Sequence, residues 1–351
     1  MIVRDVGEPG RTPDTSTGLP AAGQRPVNRR DFISLGAGAF VLLSVPGVVR
    51  GRRPVLIRRT VPLMGTIAEL AIPSRDSRFA HAAIDAAVAE LRAVEDRLTR
   101  FRAESDVGRA NLAPAGVGVP IDAETATALR ESIRWADLTE GRFDPCLARA
   151  ILLWDVGSRE DPPSPSAVRQ FAGRRLHRYL ELDAPGPNGG AAAIRLHHPD
   201  AGIDLGGIGK GFGVDRAIEA LRQRGVTDAL VNVGGDLYAL GRSEDDDAWR
   251  IGVRSPTDPN RLATTLEVSD RAVATSGDYV QYFEHGGRRY HHLLDPQTGE
   301  PRRSDRRSVT VAAATCTAAD AAATAIFGVD AAYARQLLAD WEPGARVAHA
   351  T

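Results

Sequence analysis

The sequence has few of the residues on which disulfide-bonded or zinc-stabilised folds depend. It contains two cysteines, Cys146 and Cys316, which lie far apart and form no C-x-x-C pair. A structural zinc site or a disulfide framework is therefore not supported, although one bridge between the two stays open. Aromatic residues make up only 5% of the chain, but 43% of its 351 residues are apolar, so it can bury one large core or two small ones.

The chain also lacks an excess of charge of either sign. Its formal net charge is −1 at pH 7, and its arginines are scattered rather than clustered. Proteins that bind nucleic acids normally present a basic face. We therefore expect no nucleic-acid partner.

No apolar run is long enough to span a bilayer comfortably. The stretch from Leu35 to Val49 has fifteen residues, whereas a spanning helix needs about 20. Arg29 and Arg30 precede this stretch, which predicts a twin-arginine export signal over residues 28–50 and a location outside the cytoplasmic membrane. An A-x-A cleavage site is missing, and no cysteine follows that would permit lipid anchoring. The alternative is a cytoplasmic protein with an apolar arm, or a wrongly assigned start.

Residues 1–27 are polar and rich in turn formers, so this arm is predicted to be disordered. Apolar residues at steps of three and four from Phe79 to Phe101 predict a long amphipathic helix. A second helix is expected between a cap at Asp122 and Gly141. Further helices are expected over 214–225, 316–328 and 331–341.

Short apolar segments predict a buried strand at 228–233 and a series of strands after it. These later strands are expected at 249–255, 264–269, 271–277, 289–295 and 308–314. Because few crossover helices separate them, the pattern favours a layered α+β fold with mixed or antiparallel sheets over a doubly wound parallel sheet.

The stretch "DLGGIGKGFGVD", from Asp204 to Asp215, places five glycines around one lysine. It is no Walker A loop, because Asp204 and Gly211 stand where that motif needs Gly and Ser or Thr. It is no dinucleotide fingerprint, because Phe212 or Val214 stands where the last glycine is needed. Glycine at this density lets a phosphate approach the backbone, and the alternative is a tightly packed turn between a strand and a helix.

Asp320 and Thr324 lie four residues apart in "TAADAAATAIFG", so their oxygens share one face of the predicted helix. Carboxylate and hydroxyl oxygens suit Mg²⁺. The alternative is that Asp320 caps the helix and Thr324 bonds back to the carbonyl group of residue 320.

Two adjacent histidines, His291 and His292, occur in "RYHHLLDPQTG". Neighbouring residues of a strand point to opposite faces, so only one of them can serve a given site. Imidazole acts as a general base near neutral pH without special tuning. The alternative is that one histidine is packed and the other is exposed.

The order of these and other blocks resembles that of the ApbE family, the FAD:protein FMN transferases. The blocks are "MGT", "LTRFRAESDVGRAN", "GRFDPCL", "DLGGIGKGFGVDRA", "LVNVGGD", "ATSGDYVQYF", "HHLLDPQTGEP" and "TAADAAATA", over about residues 60–330. The resemblance implies an ApbE-like (T-fold-like) flavin transferase domain, which we place at residues 55–345.

The resemblance also implies a site. Mg²⁺ would be bound by the main-chain carbonyl of Gly207 and the side chains of Asp320 and Thr324, and His292 would be needed for transfer. The residues matched to FAD contacts are Met64, Phe101, Phe143, Asp144, Lys210 and Ser276. Phe101 would stack on the flavin.

The implied reaction cleaves FAD, joins FMN to a threonine or serine hydroxyl of an acceptor protein and releases AMP. The partners would be FAD and this acceptor, and membrane association could come from the N-terminal segment or from a membrane-bound acceptor. Two alternatives use the same motifs: a Mg²⁺-dependent FAD pyrophosphatase, or a flavin-binding protein without turnover.

Overall fold

A computed structural model describes residues 40–42, 54–183, 191–255, 257–258 and 261–350. Among these residues the strands are β1 (Phe40–Leu42), β2 (Val55–Leu63), β3 (Thr66–Ser74), β4 (Val119–Ile121), β5 (Leu180–Asp183), β6 (Ala192–Leu196), β7 (Ala229–Val233), β8 (Asp236–Leu240), β9 (Trp249–Arg254), β10 (Leu262–Val268), β11 (Arg271–Gly277), β12 (Tyr282–His285), β13 (Arg288–His291), β14 (Ser308–Ala313) and β15 (Arg346–Ala350). The α-helices are α1 (Ser77–Leu98), α2 (Asp106–Leu112), α3 (Ala123–Leu138), α4 (Ala148–Trp154), α5 (Pro165–Arg169), α6 (Gly209–Gln223), α7 (Cys316–Ile326) and α8 (Ala331–Trp341).

A seven-stranded sheet in the order β15-β14-β11-β8-β7-β3-β2 forms the centre of the fold. Every neighbouring pair in it is antiparallel. Strands β2 and β3 form a hairpin in which Leu63 pairs with Thr66. The two turn residues, Met64 and Gly65, have φ angles of 53° and 68°. Positive φ at both positions is the geometry of a type I′ turn, one of the two common two-residue hairpin turns.

Helices α1, α6 and α7 cover one face of the sheet. Asp76 caps α1 and accepts hydrogen bonds from the amides of Arg78 and Phe79. The buried side of α1 is an apolar stripe at helical spacing, made by Ala80, Ala83, Ile84, Ala87, Val88, Leu91, Val94 and Leu98. Helix α7 is rich in alanine, and all of its residues except Thr324 are buried. Small side chains let α7 lie close to both α6 and the sheet.

The opposite face of the sheet is covered by β9, which pairs with β10 and β1. A second, smaller core lies between these layers, around the fully buried side chains of Trp249, Ile251 and Leu237. The molecule is therefore a stack of helices, a large sheet and a small sheet. Peripheral sheets are formed by β4, β6 and β5, and by the hairpin β12–β13.

The predicted layered α+β fold with antiparallel sheets is confirmed, and so are the helices expected at 316–328 and 331–341. The first amphipathic helix is real but shorter than predicted, because α1 ends at Leu98. Phe79 and Phe101 do not belong to its buried face: they are 43% and 66% exposed. The strands that were not predicted are β1 to β6, β8, β12 and β15. Cys146 and Cys316 are both buried and unpaired.

The predicted arm at 1–27 lies outside the described residues, as does the predicted export segment at 28–50 apart from β1. Within the part of the chain that the structure describes, no helix combines the length and the apolar character needed to cross a membrane.

Candidate active site

The glycine-rich stretch forms a bend that leads into α6, which begins at Gly209. Asp204 stabilises the bend: its Oδ1 accepts a hydrogen bond from the amide of Gly206 at 2.7 Å. Its Oδ2 lies 2.5 Å from Nε of Arg100, and these two side chains are only 15% and 16% exposed. Asp204, at the start of the motif, therefore stabilises the conformation of the bend.

Gly211 allows α6 and α7 to approach each other closely. A Cβ atom at this position would lie 2.3 Å from the carbonyl oxygen of Cys316 and 2.9 Å from Cβ of Asp320. The amide of Gly211 donates a hydrogen bond to Oδ2 of Asp320 at 3.1 Å. Only a residue without a side chain fits here, so this glycine brings Asp320 against the first turn of α6.

The N-terminus of α7 is bonded by residues other than Asp320. The carboxylate of Asp215, on α6, accepts hydrogen bonds from the amides of Cys316 and Thr317, both at 2.8 Å. The N-cap residue Thr315 accepts a third from the first turn of α7. These contacts satisfy amides that a helix start leaves without partners. The alternative that Asp320 caps the helix is therefore wrong, and its carboxylate is available to the site.

Thr324 also points across to the glycine-rich bend. Its hydroxyl group donates to the carbonyl oxygen of Gly207 at 3.3 Å and lies 3.4 Å from Oγ of Ser276. The alternative in which Thr324 bonds back to its own helix is therefore wrong. Asp320, Thr324, Gly207 and Ser276 thus come together, as the sequence motifs implied.

The oxygen atoms at this point suit a hard cation. They are one carboxylate, one hydroxyl and one main-chain carbonyl, which are the kinds of ligand that Mg²⁺ accepts. Among the described residues, no cluster of three or more His, Cys, Asp or Glu could bind a metal instead. A Cβ atom at Gly207 would lie 3.0 Å from Oγ1 of Thr324 and 3.3 Å from Cε2 of Phe143. Glycine at position 207 therefore keeps the space beside the Thr324 hydroxyl group open. The oxygen atoms of Gly207, Asp320 and Thr324 fit a magnesium ion.

Lys210 lies between two buried carboxylates. Its Nζ is 2.8 Å from Oδ2 of Asp236 and 3.5 Å from Oδ2 of Asp320. Burial works against the ammonium charge, but the two carboxylates outweigh it and raise the pKa of Lys210. Burial, together with the nearby Asp320, raises the pKa of Asp236. The lysine is therefore held as a cation beside the carboxylates of Asp236 and Asp320.

The two histidines differ as expected for neighbours at a strand end. His291 is buried: its Nε2 donates to the carbonyl oxygen of Arg302 at 2.9 Å, and its Nδ1 accepts from the amide of Leu293 at 3.2 Å. Burial lowers the pKa of His291 to about 4. Because both ring nitrogens are used inside the protein, His291 has a structural role.

His292 is half-buried. Its Nδ1 lies 3.4 Å from the carbonyl oxygen of Gln281, which can only accept, so Nδ1 carries the proton. Its Nε2 is then the basic nitrogen. Burial lowers the pKa of His292, and the charges of Lys210 and Asp204 also act on it. The ring is therefore a neutral base near pH 7.

Met64 and Phe101 lie at the edge of this centre. The amide of Met64 donates to Oε1 of Glu95 at 3.0 Å. A Cβ atom at Gly213 would lie 3.1 Å from the sulfur of Met64, so this side chain packs on α6. Phe101 is exposed, and the guanidinium carbon of Arg100 lies 4.2 Å from its ring centroid. Arg100 thus connects the aromatic ring to the bend through Asp204.

Phe143 and Asp144 are on the loop that follows α3. Phe143 is buried beside Gly207, whereas the carboxylate of Asp144 is turned into the protein. It accepts hydrogen bonds from the amides of Cys146 at 2.9 Å and His177 at 3.2 Å, and it lies 3.1 Å from Nδ1 of His177. Because the side chain of Asp144 has no exposed surface, the structure gives it the role of shaping the loop. Its contact with flavin stays a prediction.

A model of the ApbE family matches residues 64–348. The chain belongs to the ApbE family. It is 32% identical over 276 residues to a FAD:protein FMN transferase of Treponema pallidum, with 76% of each chain covered. It is 31% identical over 271 residues to one of Vibrio cholerae, with 76% of this chain and 79% of that relative covered.

Solved ApbE structures share the fold. The ApbE protein of Thermotoga maritima matches with a TM-score of 0.74 at 28% identity, over 84% of this chain and 94% of that one. The flavinyl transferase ApbE of Pseudomonas stutzeri matches with a TM-score of 0.70 at 28% identity, over 85% and 96%. The family resemblance inferred from the motif order is confirmed.

Sequence reasoning missed one residue at the centre of this ApbE site. Asp236 was present in the "GGD" block but received no role, and the structure places its carboxylate on Lys210. The available signal was an acid directly after two glycines at the end of a buried strand. Asp215, which lies within the helix predicted at 214–225, also bonds the start of α7.

Proposed function

We propose that this protein is a Mg²⁺-dependent FAD:protein FMN transferase. The supporting observation is the convergence of the Gly207 carbonyl, the Asp320 carboxylate and the Thr324 hydroxyl beside a half-buried lysine, in a member of the ApbE family. The relatives named above as FAD:protein FMN transferases align with most of this chain. The substrate would be FAD, and the second partner an acceptor protein with a threonine or serine.

In the proposed reaction the hydroxyl oxygen of the acceptor forms a bond to the FMN phosphorus. The bond from that phosphorus to the bridging oxygen of the pyrophosphate breaks, and AMP leaves with that oxygen. The hydroxyl proton goes to Nε2 of His292. General base help of this kind contributes roughly 10²–10⁴-fold.

The chain's own residues prepare the site for this charge. Lys210, kept protonated by Asp236 and Asp320, would supply positive charge to the pyrophosphate. Mg²⁺ bound by Gly207, Asp320 and Thr324 would neutralise charge on the pyrophosphate and the leaving AMP. The glycines of the bend let the backbone approach the phosphates, and Phe101 offers an exposed ring for the flavin.

The test is incubation of the purified protein with FAD and Mg²⁺, with and without a candidate acceptor that carries an exposed threonine. Covalent flavin fluorescence on the acceptor in a denaturing gel supports the transferase. Free FMN and AMP without labelled acceptor would instead identify a pyrophosphatase, in which water replaces the hydroxyl group. Unchanged FAD would identify a flavin-binding protein. The His292→Ala variant is the matched control.

We further propose that the protein is exported through the twin-arginine segment at 28–50. The supporting feature is the Arg29-Arg30 pair before an apolar run. Replacing both arginines with lysine is expected to retain the protein in the cytoplasm, as followed by cell fractionation. Unchanged distribution between the fractions would contradict export by this route.

A further inference from the structure

The guanidinium group of Arg302 bonds main-chain carbonyls from three separate segments. Its Nη1 donates to the carbonyl oxygens of Thr324, Ala325 and Phe327 at 2.9, 2.8 and 2.9 Å. Its Nε donates to the carbonyl oxygen of Leu294 at 3.2 Å. Its Nη2 donates to the carbonyl oxygen of Arg142. One side chain thus joins the end of α7, the segment after β13 and the loop after α3.

The backbone of Arg302 strengthens the second of these connections. Its amide donates to the carbonyl oxygen of Leu293 at 2.9 Å. Its carbonyl oxygen accepts from Nε2 of His291, also at 2.9 Å. The segment that carries His292 is therefore bonded to Arg302 on both sides of that histidine.

Each of the three segments carries a residue of the candidate site. The end of α7 carries Thr324, the segment after β13 carries His292, and the loop after α3 carries Phe143 directly after Arg142. Among the described residues, no carboxylate forms an ion pair with Arg302. Its positive charge instead meets the last carbonyls of α7, where a helix is partially negative and lacks internal hydrogen-bond partners.

We propose that Arg302 is a positioning residue for the reaction, which fixes the base His292 relative to the metal-binding face of α7. This inference rests on the proposed function and adds a residue to it. Burial lowers the pKa of Arg302 to about 10, so the group is still charged at pH 7. The planar guanidinium offers five donors in a fixed fork, whereas lysine offers one ammonium group that cannot reach three segments together.

The experiment compares Arg302→Lys and Arg302→Gln with the parent protein. Arg302→Lys keeps the charge at the end of α7, so a role limited to charge predicts full rescue by lysine. Arg303→Gln is the matched control, because Arg303 is the next residue, 78% exposed, and pairs only loosely with Glu300 at 3.7 Å. The full chain is used, and circular dichroism and thermal melting establish that each variant is folded.

The readouts are the Mg²⁺ concentration for half-saturation in the presence of FAD, kcat and KM for FAD, and amide hydrogen exchange in residues 291–294 and 316–327. For Arg302→Lys we expect a folded protein, an unchanged KM for FAD, and losses of roughly 10- to 100-fold in Mg²⁺ affinity or kcat. Exchange should rise in both segments. Arg303→Gln should change none of these quantities.

Arg302→Lys with the parent's kcat, Mg²⁺ half-saturation and exchange would overturn the positioning role. A parent protein that binds FAD and Mg²⁺ without transferring or hydrolysing FAD would refute the proposed function alone. In that case the Mg²⁺ titration and the exchange rates still test whether Arg302 positions the two segments. Should Arg302→Gln fail to fold, Arg302→Lys remains the deciding variant.

Discussion

Replacing Gly211 with alanine tests the contact on which the candidate site depends most directly. The new Cβ would lie 2.3 Å from the carbonyl oxygen of Cys316 and 2.7 Å from its carbonyl carbon. Carbon and oxygen atoms normally approach no closer than about 3.3 Å. Helix α7 must therefore move away from α6 by about 1 Å. The clashing atoms belong to the backbone, so no rotation of a side chain can relieve the overlap.

This movement has consequences for both stability and activity. Overpacking of a well-packed contact costs about 1–3 kcal/mol of unfolding free energy, and occasionally more. The shift also stretches the 3.1 Å hydrogen bond from the amide of Gly211 to Asp320 and moves that carboxylate relative to Gly207. A displacement of about 1 Å at a catalytic group can lower turnover about 10²-fold.

Gly209→Ala is the matched control two residues earlier in the same helix. Its new Cβ would meet only Cβ of Leu205, at 3.6 Å, which is an ordinary contact. Neither Gly209 nor Gly211 has a positive φ, so backbone strain does not distinguish them. Alanine at position 209 should be neutral or should stabilise the fold by up to about 1 kcal/mol.

The assay is urea unfolding of both variants, together with Mg²⁺-dependent turnover of FAD. We expect Gly211→Ala to lose both stability and activity, and Gly209→Ala to keep both. If Gly211→Ala matched the parent, the close approach of α6 and α7 would be wrong. If Gly209→Ala were equally damaging, the loss could not be attributed to the contact with α7.

Three further predictions concern titrating and metal-binding groups. Asp320→Ala should abolish the Mg²⁺ dependence of FAD turnover but leave the far-ultraviolet circular dichroism unchanged; parent-like activity would remove Asp320 from the metal site. His292→Ala should keep FAD binding but lose transfer. In the parent, the acid limb of the pH profile of kcat/KM should lie below pH 6.5. The reason is that burial lowers the pKa of His292 despite the opposing charges of Asp204 and Asp278. Burial lowers the pKa of His291 to about 4. Its contribution to the free energy of unfolding is therefore present above about pH 6.5 and is lost as the pH falls toward 4. The loss amounts to up to roughly 3 kcal/mol. Urea midpoints of the parent should therefore fall more between pH 7 and pH 4.5 than those of His291→Asn, and parallel curves would contradict this.

The elements that the sequence predicted well carry their own periodic signal. Helices α1, α7 and α8 have regular apolar or alanine-rich spacing, and strands β7, β9, β11 and β14 are short apolar runs between turn residues. Boundaries were less certain where an aromatic residue continued the spacing: Phe101 fits the helical pattern of α1 but lies beyond its end. Strands β2 and β3 escaped prediction because their burial comes from pairing with each other and from β3 pairing with β7, far along the chain.

The residues of the candidate site could be named from motif order, but their contacts could not. Asp320 and Thr324 share a helix face because of their spacing alone. Their contacts with Gly211 and Gly207 join residues more than a hundred positions apart. Asp144, predicted beside the flavin, has its carboxylate turned toward His177, a residue that no motif singled out. The pairing of Lys210 with Asp236 likewise depends on how α6 lies on β8.

The sequence by itself determined the helical and strand periods, the chemical types of the functional groups and the order of the family motifs, because each of these is a property of residues close together in the chain. Only the tertiary structure decided that Asp215 rather than Asp320 bonds the start of α7, that the carboxylate of Asp144 turns toward His177, and that Arg302 connects three segments. The physical reason is that close packing of α7 against α6, which Gly211 permits, fixes which oxygen atoms meet. No local pattern encodes that distance.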